Sequence, residues 1–219
     1  MNFPRYPYKP CLVNLLRNVT DLLDKCGVEY IICGGTLLGA IRDKGQIPWD
    51  YDADLEILPG SRGGFYDLVK YLEATPKLGI MASYRLPSMV KFTPIVSQQV
   101  CRTVGFNQHI PNPTVDCFFQ YKRPDGSHQI CGDQWPTWYF RKGELYPLRK
   151  YYFEDFSMWG PACHSILDRY YGDWRTPQFD KWPPGKLGYL KSKDGLVSNE
   201  RDLEIAQGVR ADSIQPGSG

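Results

Sequence analysis

An α/β fold is predicted by three features of the chain. Segments with a helical apolar period alternate with segments of period two. A short β-branched run, Val28 to Cys33, passes directly into Gly34-Gly35-Thr36. Asp52 to Leu58 sets Asp52, Asp54 and Glu56 against Ala53, Leu55 and Ile57, the alternation of a strand with one acidic face. The 219 residues, 42% of them hydrophobic, with a mean hydropathy of −0.43, suffice for one substantial domain or two small ones. Those values argue against a disordered tail, a fibrous repeat or a membrane bundle.

The elements follow in order. After a proline-rich lead over residues 1–10, Leu12, Leu15, Leu16, Val19, Leu22, Leu23 and Cys26 recur at helical spacing and predict an amphipathic helix over 11–26, stopped by Gly27. Val28 to Cys33 reads as a short inner strand, and Leu37, Leu38 and Ile41 as the buried side of a helix ending near Gly45. Pro48-Trp49 marks a loop before the acidic strand, which breaks at Pro59-Gly60-Ser61. Phe65, Leu68, Val69 and Leu72 predict a helix over 62–74. Leu78 to Arg85 and Met89 to Phe92 read as strands about a turn at Leu86-Pro87-Ser88, with a weaker strand over Val100 to Phe106. Thr114 to Tyr121 alternates clearly and ends at Arg123-Pro124-Asp125-Gly126, where proline's fixed φ and glycine's freedom make a turn. Aromatic residues crowd the stretch from Gln134, which reads as short strands and turns on one side of a cleft. A last helix is expected from Pro161, closing at Gly172. Periodicity then fades, so 11–178 reads as the folded domain and 179–219 as an extended or partly disordered segment.

Charge excludes some functions. Lys and Arg number 26 against 24 Asp and Glu, a net charge of +2, which supplies no wide track for a nucleic-acid backbone. No run of 18 apolar residues is present, so no transmembrane segment is expected, and the N-terminal lead has no apolar stretch of a secretion signal. Seven cysteines without a Cys-x-x-Cys pair cannot all pair internally, and Cys26 and Cys33, each in an apolar run, read as buried thiols. His128 and Cys131 have the spacing of half a zinc site but no placed partners. His109 and His164 have no recognisable nucleophile and acid to form a hydrolase triad.

The chemistry is concentrated in one unit. Glycines between a strand and a helix let backbone amides approach an anion, and the helix N-terminus adds partial positive charge, so Gly34, Gly35 and Thr36 form a candidate phosphate cradle. The spacing fits neither a Walker A loop nor a dinucleotide fingerprint. Residues two apart on a strand project to the same side, so Asp52 and Asp54 repel each other unless a cation or separate solvation offsets the charge. Hard divalent ions, Mg²⁺ or Mn²⁺, suit such oxygens and keep positions for substrate phosphates. Asp50, one period further out, is open to a second cation, a substrate hydroxyl or water. Asp116 lies between Val115 and Cys117-Phe118-Phe119, where a carboxylate needs solvent, a partner or a metal. Arg42 and Lys44, just after the glycine helix, are placed to meet donor phosphates or simply solvent.

Ile32-Cys33-Gly34-Gly35-Thr36-Leu37-Leu38-Gly39-Ala40-Ile41-Arg42, then Gly45-Gln46-Ile47-Pro48-Trp49-Asp50-Tyr51-Asp52-Ala53-Asp54-Leu55, closely resembles the LicD and fukutin-related protein family. Val115-Asp116-Cys117-Phe118 resembles its later acidic segment, and Arg169-Tyr170-Tyr171-Gly172-Asp173-Trp174 its C-terminal Tyr-Gly-Asp motif. The resemblance implies a nucleotidyltransferase-like mixed central sheet flanked by helices, with an aromatic-rich C-terminal part. It also implies metal-dependent transfer of a phosphorylated alcohol, such as ribitol phosphate or phosphocholine, from a CDP-linked donor to a glycan acceptor. In that implication Gly34, Gly35 and Thr36 serve the phosphate loop, Asp52 and Asp54 the metal pair, and Asp116 the third acidic position, as ligand or base. The family's setting points to the Golgi lumen or secretory pathway, while the lead sequence leaves the cytoplasm open. A catalytically silent carbohydrate-binding or scaffold domain, or another kind of nucleotidyltransferase, is the alternative reading.

Overall fold

A computed structural model describes residues 5–86, 88–95, 112–130 and 138–177. The strand expected at Val100 to Phe106, together with Cys101, His109, Cys131 and the 179–219 segment, lies outside the described residues.

Helix α1 (Lys9–Lys25) buries Leu12, Leu15, Leu16, Val19 and Leu23, the one-face spacing of an amphipathic helix, and carries Pro10 in its first turn. Strand β1 (Tyr30–Ile32) leads into α2 (Gly34–Arg42), which takes in the two glycines rather than following them. Strand β2 (Asp52–Ile57), helix α3 (Arg62–Ala74), and strands β3 (Ile80–Leu86) and β4 (Met89–Pro94) come next. Strand β5 (Thr114–Lys122) turns through Gly126, at φ +83°, into β6 (His128–Ile130). Strands β7 (Tyr139–Phe140), β8 (Arg149–Phe153) and β9 (Phe156–Gly160) precede helix α4 (Ser165–Tyr171).

The central sheet runs β1-β2-β5-β4-β3, with β6 paired to the distal end of β5 and β7 to β6. Strands β2 and β5 are parallel, while β1 with β2, β5 with β4 and β4 with β3 are antiparallel, so the sheet is mixed. A separate β8-β9 hairpin lies against β1 and α2. Helices α1 and α3 cover one sheet face, where the Phe65 ring of α3 meets Phe92 and Phe119 edge-on at 6.0 and 5.4 Å. Because side chains alternate along a strand, Lys91, one residue from Phe92 on β4, and Asp116, an odd three residues from Phe119 on β5, project to the other face.

Two expectations need correction. Cys26 is exposed: it caps the C-terminal end of α1, where its amide closes on the Leu22 carbonyl at 3.0 Å, and its side chain is not part of the core. The last helix begins at Ser165 and not at Pro161, because the intervening amides are bonded elsewhere. Ala162 N–H donates to the Leu145 carbonyl and Cys163 N–H to that of Glu144, while the Pro161 carbonyl accepts the Tyr151 hydroxyl. The helix does close at Gly172, at φ +65°.

Candidate active site

Strands β2 and β5 place three carboxylates together. Asp54 and Asp116 are direct register partners, and Asp52 stands opposite Thr114 two residues earlier, so all share one face. One carboxylate oxygen from each of Asp52, Asp54 and Asp116 lies within 4.8 Å of the others. Relative exposures of 5%, 3% and 8% take these oxygens largely out of bulk water. Like charges so close and so poorly solvated are costly without a counter-ion, and an all-oxygen cluster of this kind suits Mg²⁺ or Mn²⁺. Asp50 is also buried, at 2%, but does not belong to this group of three.

Lys91 of β4 extends the row. It is the register partner of Asp116 from the opposite side, and its Nζ lies 2.8 Å from the Asp116 carboxylate and 3.3 Å from Thr114 Oγ1. Asp54, Asp116 and Lys91 thus occupy one rung across three neighbouring strands. A cation between Val90 and Phe92 carried the same signal in the sequence as Asp116 does, a charge embedded in an apolar run.

The glycine turn abuts the cluster. Gly34 adopts φ +51°, the left-handed region that disfavours other residues, and starts α2, whose first amides have no intrahelical acceptor. Thr36, 2% exposed, accepts the Asp54 amide through Oγ1 at 2.8 Å, and the Asp54 carbonyl accepts the Cys33 amide at 3.1 Å. The backbone of the central acid is therefore held on both sides by the turn.

Arg42 donates to Asp43 and to the Trp174 carbonyl, with its guanidinium 5.9 Å from the centre of the buried Trp49 ring. That arrangement ties α2 to the C-terminal part. Lys44 is exposed, at φ +58°, and its carbonyl accepts the Glu154 amide. The acidic loop has a support that sequence reasoning missed. Glu154, in the β8-β9 turn, pairs with Lys9 at 2.8 Å and accepts the Gln46 amide at 2.9 Å. Gln46 Nε2 in turn donates to the carbonyls of Asp52, at 3.0 Å, and Asp50, at 3.4 Å.

Glu56 continues the acidic stripe on β2 but is fully buried and separate from the trio. Trp138 Nε1 and Gln120 Nε2 each donate to it at 2.6 Å, and His128 Nδ1 lies 3.0 Å from Gln120 Oε1. Burial pushes the Glu56 carboxyl up to about 7, against the hydrogen bonds from Trp138, Gln120 and the Cys33 thiol. Burial, reinforced by Glu56 and Asp54, likewise pushes the Cys33 thiol up. Trp138 meets Tyr170 edge-on at 5.0 Å, so Glu56 gives the aromatic C-terminal cluster one of its ties to the central sheet. Its signal in the sequence was only its place in the period-two stripe.

Among the described residues no helix is long and apolar enough to cross a membrane. Comparison with known proteins places this geometry in a family. Residues 27–163 match the family described as LicD/FKTN/FKRP, nucleotidyltransferase domain. An uncharacterized protein of Rickettsia typhi is 30% identical over 164 residues, 74% of this chain and 46% of that protein, and one of Rickettsia prowazekii is 28% identical over 54% of its length. The chain thus spans about half the length of these relatives. Human ribitol 5-phosphate transferase FKRP is 44% identical over 63 residues, 25% of this chain and 13% of the transferase. Lipopolysaccharide cholinephosphotransferase LicD of Haemophilus influenzae is 49% identical over 45 residues, 20% of this chain and 17% of that enzyme. The solution structure of the antibiotic-resistance factor ANT(2'')-Ia shows a distant likeness, with a TM-score of 0.48 and 16% identity over 92% of each chain. The match over 27–163 covers more than half of the chain and contains the glycine turn and all three clustered aspartates, and on it the chain belongs to the LicD/FKTN/FKRP nucleotidyltransferase-domain family.

Proposed function

We propose that the chain transfers a phosphorylated alcohol, of the ribitol phosphate or phosphocholine type, from a CDP-linked donor to a glycan acceptor. The observation that carries this reading is the convergence of Asp52, Asp54 and Asp116 on parallel neighbouring strands beside the glycine turn, inside the matched family domain. Two relatives with the named activities, a ribitol 5-phosphate transferase and a lipopolysaccharide cholinephosphotransferase, support the choice of transferred group.

In this reading Asp52 and Asp54 hold a divalent cation, Mg²⁺ or Mn²⁺, and Asp116 completes the set as ligand or as proton acceptor for the attacking hydroxyl. When bound, the ion supplies positive charge against the developing phosphoryl charge and orients the phosphates. Gly34 and Gly35 allow close approach of the donor phosphates to the α2 N-terminus, and Thr36 fixes that turn to the acidic strand. Asp50, in the loop before β2, and Arg42 and Lys44, at the far end of α2, are further candidates for donor contact.

The test is a donor screen. CDP-ribitol, CDP-choline, CDP-glycerol and simple sugar nucleotides are offered with glycan phosphate acceptors, with and without Mn²⁺, following both CMP release and the modified acceptor. Metal-dependent transfer from a CDP-alcohol that falls about 100-fold or more in Asp52→Asn and Asp54→Asn, with the fold intact, is expected, since even outer-shell changes cost about 10–100-fold. Glycan binding without turnover of any donor would instead make the domain a carbohydrate-binding module.

A further inference from the structure

We infer that Lys91 occupies the place of a second cation, so that the acidic cluster takes a single divalent ion. The inference rests on the reading of Asp52, Asp54 and Asp116 as a cation centre and specifies its stoichiometry.

Three negative charges lie within 4.8 Å in a largely buried setting. One divalent ion and one ammonium group together neutralise three carboxylates. The ammonium is built into the sheet: Lys91 reaches Asp116 from the adjacent β4 strand at 2.8 Å, with only 20% of its side chain exposed. Its hydrogen bond to Thr114 Oγ1, at 3.3 Å, sets it between the Thr114 and Asp116 positions of β5, which are the register partners of Asp52 and Asp54. A two-ion centre holds its ions about 3.5–4 Å apart, so a second ion has to sit beside these same carboxylates. On the β4 side of the cluster, however, Asp116 already faces a fixed positive charge. A second divalent ion placed there meets the repulsion of Lys91 as well as that of the first ion. Lys91 is therefore a positioning residue: it orients Asp116 and limits the centre to one ion.

The stoichiometry of Mn²⁺ binding, without nucleotide, tests this by equilibrium dialysis and electron paramagnetic resonance on the wild type, Lys91→Met, Lys91→Arg and Asp54→Asn. The expected results are one Mn²⁺ per wild-type chain, abolished in Asp54→Asn, and one in Lys91→Arg. Lys91→Met is expected either to admit a second ion or to bind the first about 10-fold more tightly, because a neighbouring positive charge is gone. A merely structural lysine would give the opposite result, since its loss would loosen the cluster and weaken binding. Two wild-type ions that both depend on Asp54, or a folded Lys91→Met with unchanged or weaker binding, overturns the inference. If Lys91→Met does not fold, the wild-type and Lys91→Arg counts decide. Absence of any Mn²⁺ binding overturns both the inference and the cation-centre reading. One bound ion in a protein that turns over no CDP-linked donor sinks only the proposed reaction.

Discussion

The Thr36 hydroxyl accepts the backbone amide of Asp54 at 2.8 Å, so the turn that opens α2 and the strand that carries the acidic cluster are joined by one buried side chain. Thr36→Val keeps the shape and leaves that amide without its acceptor. A loss of about 1–3 kcal/mol is expected in urea denaturation, the cost of an unsatisfied buried donor. Mn²⁺ binding should also weaken by about 10-fold, because the group orienting a ligand strand has gone. Thr36→Ser should restore both. Wild-type metal affinity in a folded Thr36→Val protein would confine the bond to a structural role.

Asp116→Asn separates the two roles open to that residue. The substitution keeps the size and removes the charge, and an amide cannot accept the acceptor hydroxyl's proton. Donor titration and single-turnover transfer at saturating Mn²⁺ are expected to show near-normal donor affinity with a transfer rate about 100-fold lower, the scale of general-base catalysis. Loss of Mn²⁺ binding on the scale of Asp54→Asn would identify Asp116 as primarily a ligand, and near-normal transfer would exclude an essential base there.

A methyl group at Gly39 has nowhere to go. A Cβ there would stand 2.4 Å from the Gly45 carbonyl oxygen and 3.3 Å from Ile47 Cγ1, in the segment that leads into the acidic loop. Gly39→Ala should cost about 1–3 kcal/mol through overpacking and depress transfer by displacing that segment. Gly60→Ala, with nothing within 4 Å of its Cβ, is the control expected to leave stability nearly unchanged. Equal melting temperatures for the two variants would contradict the packing.

Acid stability should depend on Glu144. Burial raises its pKa, but the Arg169 fork at 2.7 and 2.8 Å, the Arg141 amide and the Ser165 hydroxyl outweigh that and hold it at about 2. In the unfolded chain the carboxyl titrates near its ordinary value of about 4.5, so in between the unfolded state binds more protons than the folded one. The contribution of Glu144 is complete above about pH 4.5 and is lost as the pH falls toward about 2. Glu144→Gln should therefore cost about 2 kcal/mol at pH 7, with the gap from wild type shrinking across that acid window. A pH-independent gap would show that the effect is steric.

Local pattern carried much of this molecule. The period of α1, the alternation in β2 and β5, the bounds of α3 and the Arg123 to Gly126 turn all follow from neighbours within a few residues, and the structure agrees with them. The start of the last helix did not follow, because Pro161 has a proline's fitness for a first turn while tertiary bonds to Leu145 and Glu144 hold the next amides outside the helix. Cys26 misled for a similar reason: its spacing matched the apolar face of α1, but the helix ends at Lys25 and leaves it facing solvent.

For the candidate site, the sequence alone determined the residue types and their order: a glycine turn, two aspartates sharing a strand face, and a third in an apolar run. Strand periodicity aims Asp52 and Asp54 together without outside help. Sheet assembly added the rest: β5 lies parallel beside β2, so that Asp116 meets Asp54, and β4 brings Lys91 to the same rung. Tertiary packing also set Gln46 and Glu154 against the acidic loop and made Glu56 one of the ties to the aromatic cluster. Strand order and register are fixed by which faces can be buried together across distant segments. No spacing within a single segment records that choice.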